Sequence, residues 1–286
     1  MTGPRLGAHM SIAGGLPQAI LRARAVEATA LQVFVKSSNQ WAARPFAPGE
    51  VEAYREASRE AGLTRHTLAH ASYLINLASP DATLWEKSVA ALRVELDRCE
   101  ALGIPWLVVH PGSHVGSGVA GGIARVAEAL DRALPRGTKH GAGVLLETTA
   151  GQGSTLGARF EELGEILRLA NHSEFLGICF DTCHVLAAGY EFRFASAYGD
   201  TMTALDHAVG LDRLRGFHLN DSKGDLGCRR DRHEHIGKGS VGLEAFRLIL
   251  GDARFRDVPM VIETEKGDDL AEDRANLGVL RSVIAP

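Results

Sequence analysis

The chain has 286 residues, 45% of them hydrophobic, and a formal net charge of -4. That is enough apolar material for one large core, and it excludes a globally basic surface, so a nucleic-acid partner would need a local positive field. The four cysteines form no C-x-x-C pair, the first residues lack a signal-peptide pattern, and no apolar run reaches the roughly 18–20 residues of a membrane span; reduced thiols and a cytoplasmic location are expected.

Short apolar runs alternate with longer amphipathic stretches. The runs fall at 6–8, 30–35, 67–69, 106–109, 143–146, 176–180, 216–217 and 260–262, and most are apolar on successive residues, as parallel strands buried on both faces are. Helix candidates lie between them. Ser79 and Pro80 read as the N-cap and first position of a helix in which Leu84, Val89, Leu92, Leu96, Cys99 and Leu102 keep a near-3.6 period, closed by Gly103. Further candidates are 49–62, 121–134, 159–171, 200–210, 242–251 and 269–284. This order predicts eight β/α units in one domain, 1–286: a closed (β/α)8 TIM barrel. An open doubly wound sheet is the alternative, but no G-x-G-x-x-G follows the first strand.

Chemistry in such barrels sits at the C-terminal strand ends. Here six consecutive units, the third to the eighth, end on His70, His110, Glu147, Asp181, His218 and Glu263, with His184 three residues past Asp181. A lone histidine there is usually a hydrogen-bonded structural residue, and a lone glutamate usually pairs with an arginine. Six in register would each need a separate partner in a crowded mouth, whereas metal ions satisfy all of them together. Imidazoles mixed with carboxylates suit zinc, manganese or iron, and the set exceeds the roughly four ligands of one zinc. The polar, glycine-rich segment after His218 adds Asp231-Arg232-His233, whose i, i+2 spacing points two ligands to one side of an extended backbone, or is equally well a solvated loop.

The strings around these residues resemble the endonuclease IV family of apurinic/apyrimidinic endonucleases (AP endonuclease family 2) over essentially the whole chain. They are GAHMSIAGG at 7–15, HASYLINLA at 70–78, HPGSH at 110–114 and LLETTAGQGS at 145–154. FDTCH at 180–184, HLNDSK at 218–223, DRHEHIGKG at 231–239 and ETEKG at 263–267 complete the set. The resemblance implies a trinuclear zinc centre, with manganese or iron as alternatives at individual sites. His70 and His110 would hold the first ion, with Glu147 bridging first and second. Asp181, His218 and Glu263 would complete the second, and His184, Asp231 and His233 would hold the third. Glu147 and Glu263 are the carboxylates expected to be essential for catalysis. His9, at the first strand end, is expected to support a ligand.

The implied reaction is hydrolysis of the phosphodiester 5′ to an abasic site in duplex DNA, leaving a 3′-hydroxyl and a 5′-deoxyribose phosphate, with removal of 3′-blocking groups as a secondary activity. A monomer is expected. Paired metals suit this chemistry because they supply a nucleophile, shield the phosphate and stabilise the leaving oxygen. Three divalent ions against four carboxylates leave a formal surplus of about two positive charges, so an acidic protein can present a cationic pocket. The resemblance gives Tyr73 and Leu74 a wedging role in the duplex, and places Lys36, Asn39, Gln40 and Trp41 on a DNA-facing loop. In that loop many relatives read K-N-x-R-Q-W, whereas this chain reads KSSNQW, with Asn39 at the arginine position and Arg44 as the nearby candidate replacement.

Overall fold

The computed structural model describes residues 3–134 and 141–284. Its apolar runs form strands buried at nearly every position, because barrel interior covers one face and helices cover the other. In chain order the strands are β1 (Arg5–Met10), β2 (Ala30–Phe34), β3 (Thr67–His70), β4 (Trp106–Val109), β5 (Gly143–Glu147), β6 (Leu176–Asp181), β7 (Leu214–His218), β8 (Asp221–Ser222), β9 (His233–Glu234) and β10 (Pro259–Ile262). The closed barrel runs β1-β10-β7-β6-β5-β4-β3-β2, and each neighbouring pair is parallel. The expected single-domain TIM barrel is what forms. Strands β8 and β9 stand apart as a two-stranded antiparallel ribbon inside the segment that reads in sequence as one long loop.

Leu68, Val108, Leu145 and Cys179 from four successive strands fill the barrel interior over Trp106. Gly216 makes room for them, since a Cβ there would lie 3.1 Å from both Leu68 and Leu145. Gly7 has a harder constraint: an added Cβ would sit 1.8 Å from the Ala30 carbonyl oxygen, so only glycine lets β1 lie against β2.

The helices are α1 (Leu16–Ala25), α2 (Glu50–Glu60), α3 (Ala82–Leu102), α4 (Val119–Ala133), α5 (Phe160–Leu169), α6 (Thr182–Ala188), α7 (Ala195–Val209), α8 (Leu243–Gly251) and α9 (Ala271–Ser282). Six match the expected ranges to within a few residues. The N-cap of α3 is Asp81, not Ser79: the Asp81 carboxylate accepts the Leu84 N–H at 2.7 Å, while Ser79 Oγ instead accepts the Asp81 N–H. Gly103 closes α3 in the left-handed conformation, as expected. Helix α1 is absent from the candidates drawn from the sequence, although Pro17 in its first turn and buried Leu16, Ala19, Ile20 and Ala23 carry the signal. Helix α6 is also new. It begins directly off β6 because Asp181 caps it, accepting the His184 N–H at 2.8 Å.

Candidate metal centre

The nine sequence-derived ligands converge at the C-terminal mouth in three adjoining groups: His70, His110 and Glu147; Glu147, Asp181, His218 and Glu263; and His184, Asp231 and His233. Within each group the donor atoms all lie within 4.8 Å of one another. Glu147 belongs to two of them. Its Oε2 is 3.2 Å from His70 Nε2 and 2.9 Å from His110 Nε2, and its Oε1 is 2.9 Å from His218 Nδ1.

The barrel register and α6 set this geometry. Asp181 and His218 are paired across β6 and β7, and His70 ends β3. The cap at Asp181 leaves its second oxygen, Oδ2, to receive the Asn220 amide at 2.7 Å and to face His218 and His233. Asp221 then anchors the distal arm. Its carboxylate accepts N–H groups from Ser222, Gly237 and Val241, which folds the β8–β9 ribbon back and brings Asp231 and His233 to His184. The i, i+2 reading of Asp231 and His233 therefore holds geometrically, and the solvated-loop alternative does not.

Three of the five imidazoles are oriented by their Nδ1. His70 Nδ1 donates to the Ala71 carbonyl and His184 Nδ1 to the Thr148 carbonyl, both at 2.8 Å, while His233 Nδ1 donates to the Glu263 carbonyl at 3.2 Å. This frees Nε2 of all three for a ligand. His184 Nε2 and His233 Nε2 lie 3.2 and 3.4 Å from Asp231 Oδ1, yet among the described residues neither makes an aligned hydrogen bond. Donor atoms around a tetrahedral ion at ~2.0–2.2 Å stand about 3.3–3.6 Å apart, so this spacing without hydrogen-bond alignment fits a shared ion.

The electrostatics fit too. Burial opposes charge on Glu147, yet the imidazoles of His110 and His218 hold its carboxyl well below the usual carboxylate range. Burial likewise opposes charge on Glu263, and His218 is the main group pulling its pKa down. Conversely, burial would neutralise His184, but Asp181, Asp231 and Glu147 drive its pKa well above the ordinary imidazole value. The same holds for His218, with Cys179, Glu263 and Glu147 as the raising neighbours. Four carboxylates among five imidazoles can be neutralised by protons or by metal ions, and the cluster is built to exchange one for the other.

Around the ligands the sequence-derived residues divide. Tyr73 is 68% exposed and packs its ring edge-on to Phe34, with Leu74 half-buried beside it. Tyr73, but not Leu74, lines a cleft of about 240 Å³ between residues 70–76 and 109–113. A second cleft, of about 260 Å³, continues past His110 to His184, Asp231 and Arg232. Asn39 and Gln40 are exposed, and Asn39 Oδ1 accepts from Ser37 Oγ. Trp41 is half-buried, with the Lys87 ammonium 4.4 Å over its ring.

Lys36 does not face solvent. It is 5% exposed, its ammonium pairs with buried Glu95 at 3.2 Å, and it donates to the Gln40 carbonyl at 2.6 Å, so it braces the loop from inside. Arg44 is exposed but forked onto Glu50 at 2.9 and 3.1 Å, so using it in place of an arginine at position 39 would break that surface pair. His9 lies beside a candidate ligand, with Nδ1 3.4 Å from Glu263 Oε1 and 3.0 Å from Gln32 Nε2. Gln32, Asn220 and Asp221 hold the ligands in place, and the sequence alone does not single them out. The exposed arginines Arg229, Arg230 and Arg232, beside Asp231, supply local positive charge that a whole-chain count conceals.

No described helix is long and apolar enough to cross a membrane. The chain matches the xylose isomerase-like TIM barrel family over residues 20–283. It is 51% identical over 281 residues to a probable endonuclease 4 of Chloroflexus aurantiacus, covering 98% of each chain. Among solved structures it superposes on endonuclease IV from Thermus thermophilus with a TM-score of 0.86 and 41% identity, covering 98% of this chain and 99% of that one. D-psicose 3-epimerase from Clostridium cellulolyticum also superposes, with a TM-score of 0.71 over 99% of this chain and 100% of that one, but at 14% identity it shares the fold alone. Full-length identity near one half, on a chain whose ligand positions gather into three adjoining groups, makes this protein a member of the endonuclease IV family.

Proposed function

We propose that the protein is a DNA-repair endonuclease that hydrolyses the phosphodiester 5′ to an abasic site in duplex DNA, leaving a 3′-hydroxyl and a 5′-deoxyribose phosphate, and that it also removes 3′-blocking groups. The observation that carries this reading is the three-group cluster joined through Glu147. His70, His110 and Glu147 would hold one zinc; Glu147, Asp181, His218 and Glu263 a second; His184, Asp231 and His233 a third. When bound, such ions supply an activated water, shield the phosphate and stabilise the leaving oxygen.

The chain's own residues do the rest. Asp181, Asn220 and Thr148 fix the ligands, so little reorganisation is needed as charge develops. The two clefts meeting at His110 offer a groove across the mouth for a DNA backbone, flanked by Arg232. Tyr73, exposed at the rim of this groove, and the neighbouring Leu74 would enter the duplex. An abasic nucleotide has no base stacking to lose, so extruding it costs less than extruding a normal one, and that difference selects the site.

The test is incision of a duplex carrying one abasic site by zinc-loaded protein, with product ends identified by enzymatic extension and mass. Cleavage 5′ to the site that stops on chelation is expected. Protein carrying three equivalents of zinc that leaves the duplex intact would overturn the reading.

A further inference from the structure

Gln32 is the one polar residue in the apolar run of β2, and its side chain is wholly buried. It lies directly opposite His9 across the β1–β2 pairing, so both point into the barrel mouth at one level. Its amide touches three groups. Nε2 is 2.6 Å from Glu263 Oε1 and 3.0 Å from His9 Nδ1, and Oε1 is 2.8 Å from His218 Nε2.

Chemistry fixes which end of the amide faces which neighbour. An ionised carboxylate can only accept, so the amide nitrogen must face Glu263. The amide oxygen then faces His218 Nε2, which must carry its proton to donate. That leaves His218 Nδ1 as the metal-binding atom, and Nδ1 is the one lying 2.9 Å from Glu147 Oε1 and 3.1 Å from Glu263 Oε2. The second amide hydrogen falls on His9 Nδ1 at 3.0 Å, closer than Glu263 Oε1 at 3.4 Å, so that nitrogen accepts from Gln32.

We propose that Gln32 is a positioning residue of the metal centre: its one buried amide sets the tautomer of His218 and the orientation of Glu263, and through these two ligands the affinity of the central metal group. This rests on the metal-dependent reading above. A glutamine that merely satisfied its own polarity would be replaceable by leucine without consequence for metal, whereas an orienting partner typically contributes 10- to 100-fold in metal affinity.

The experiment is chelator competition on zinc-loaded wild type, Gln32→Leu and Gln32→Glu, alongside long-range ¹H–¹⁵N histidine spectra of the zinc-loaded wild type. Gln32→Leu is expected to release one zinc equivalent about 10- to 100-fold more readily while keeping the others. Gln32→Glu, which sets a carboxylate against Glu263, should lose at least as much. The His218 signals should show a protonated Nε2 and a metal-bound Nδ1. Affinities of Gln32→Leu within twofold of wild type, or His218 bound through Nε2, would overturn the proposal. If Gln32→Leu does not fold, the wild-type tautomer still decides it. Wild type that binds no zinc would sink the functional reading itself; wild type that binds zinc and incises DNA beside a Gln32→Leu variant of equal metal affinity would sink only this inference.

Discussion

Stripping metal from the folded protein should lower its thermal midpoint by about 20 °C. With free zinc near 1,000 times its dissociation constant, each bound ion stabilises the native state by about 4 kcal/mol, so three groups contribute about 12 kcal/mol. Unfolding a chain of 286 residues at ~2.1 cal/mol/K per residue carries about 0.6 kcal/mol/K, so each kcal/mol moves the midpoint by roughly 1.7 °C. The metal-free cluster is not left with four bare carboxylates, because His70, His184 and His218 have raised proton affinities and take up part of the neutralising role. The fold should therefore survive demetallation while losing most of this margin. Calorimetry of zinc-loaded and chelator-treated protein, with elemental analysis of both, gives the answer. A shift under about 5 °C together with a single bound equivalent would refute the three-group assignment.

Other outcomes follow from the same geometry. The metal-free protein should lose stability as pH rises above about 6.5, because His70, His184 and His218 contribute fully below that value, where the unfolded chain also holds their protons, and lose the contribution as pH climbs through their raised folded-state range. The depressed carboxyls of Glu147 and Glu263 act oppositely, contributing above about pH 4.3 and fading as pH falls further. Metal affinity should instead climb through neutrality as those imidazole protons leave, so midpoints measured from pH 5 to 9 with and without chelator should diverge; parallel curves would count against proton–metal exchange. Glu147→Gln or Glu263→Gln should keep the native circular dichroism spectrum but cut incision on the order of 10³-fold or more, and rates near wild type would show the cluster is not the reaction centre. Asn39→Arg should tighten binding to an abasic duplex and steepen its salt dependence by about 0.9 log unit, read by fluorescence anisotropy across a salt series; unchanged affinity and slope would mean the 36–41 loop does not reach the duplex.

The candidate ligands that cluster in the structure stand out in the sequence because metal chemistry restricts them to a few residue types and the barrel places most of them at or just past strand ends. What stays hidden depends on partners distant in the chain. Gln32 reads as an interruption of an apolar strand, and only its approach to Glu263, over two hundred residues later, gives it a purpose. Lys36 reads as a surface cation, and only Glu95 on α3 explains its burial. The cap of α3 lies two residues beyond the expected one because Ser79 and Asp81 are both competent caps, and which side chain reaches the first turn is decided by the entering backbone.

The barrel alone does not separate this protein from sugar epimerases, which share its fold at low identity. In this chain the barrel mouth is completed by the segment after His218, and what matters is how that segment is tied down. Asp221 holds Ser222, Gly237 and Val241, Leu186 and Ala187 accept the Gly227 and Arg229 N–H groups, and Asn276 accepts that of Ile236, and together these ties set Asp231 against His184. Gly239 belongs to the same device, since a Cβ there would fall 2.4 Å from the Ser222 carbonyl and 2.5 Å from the Asp221 carboxylate. The string HLNDSK therefore supplies a candidate metal ligand, the amide that orients Asp181, and a clamp for the third group within six residues. That linkage orders a segment composed like a solvated loop against the barrel mouth, so the third group depends on Asp221 as well as on Asp231 and His233 themselves.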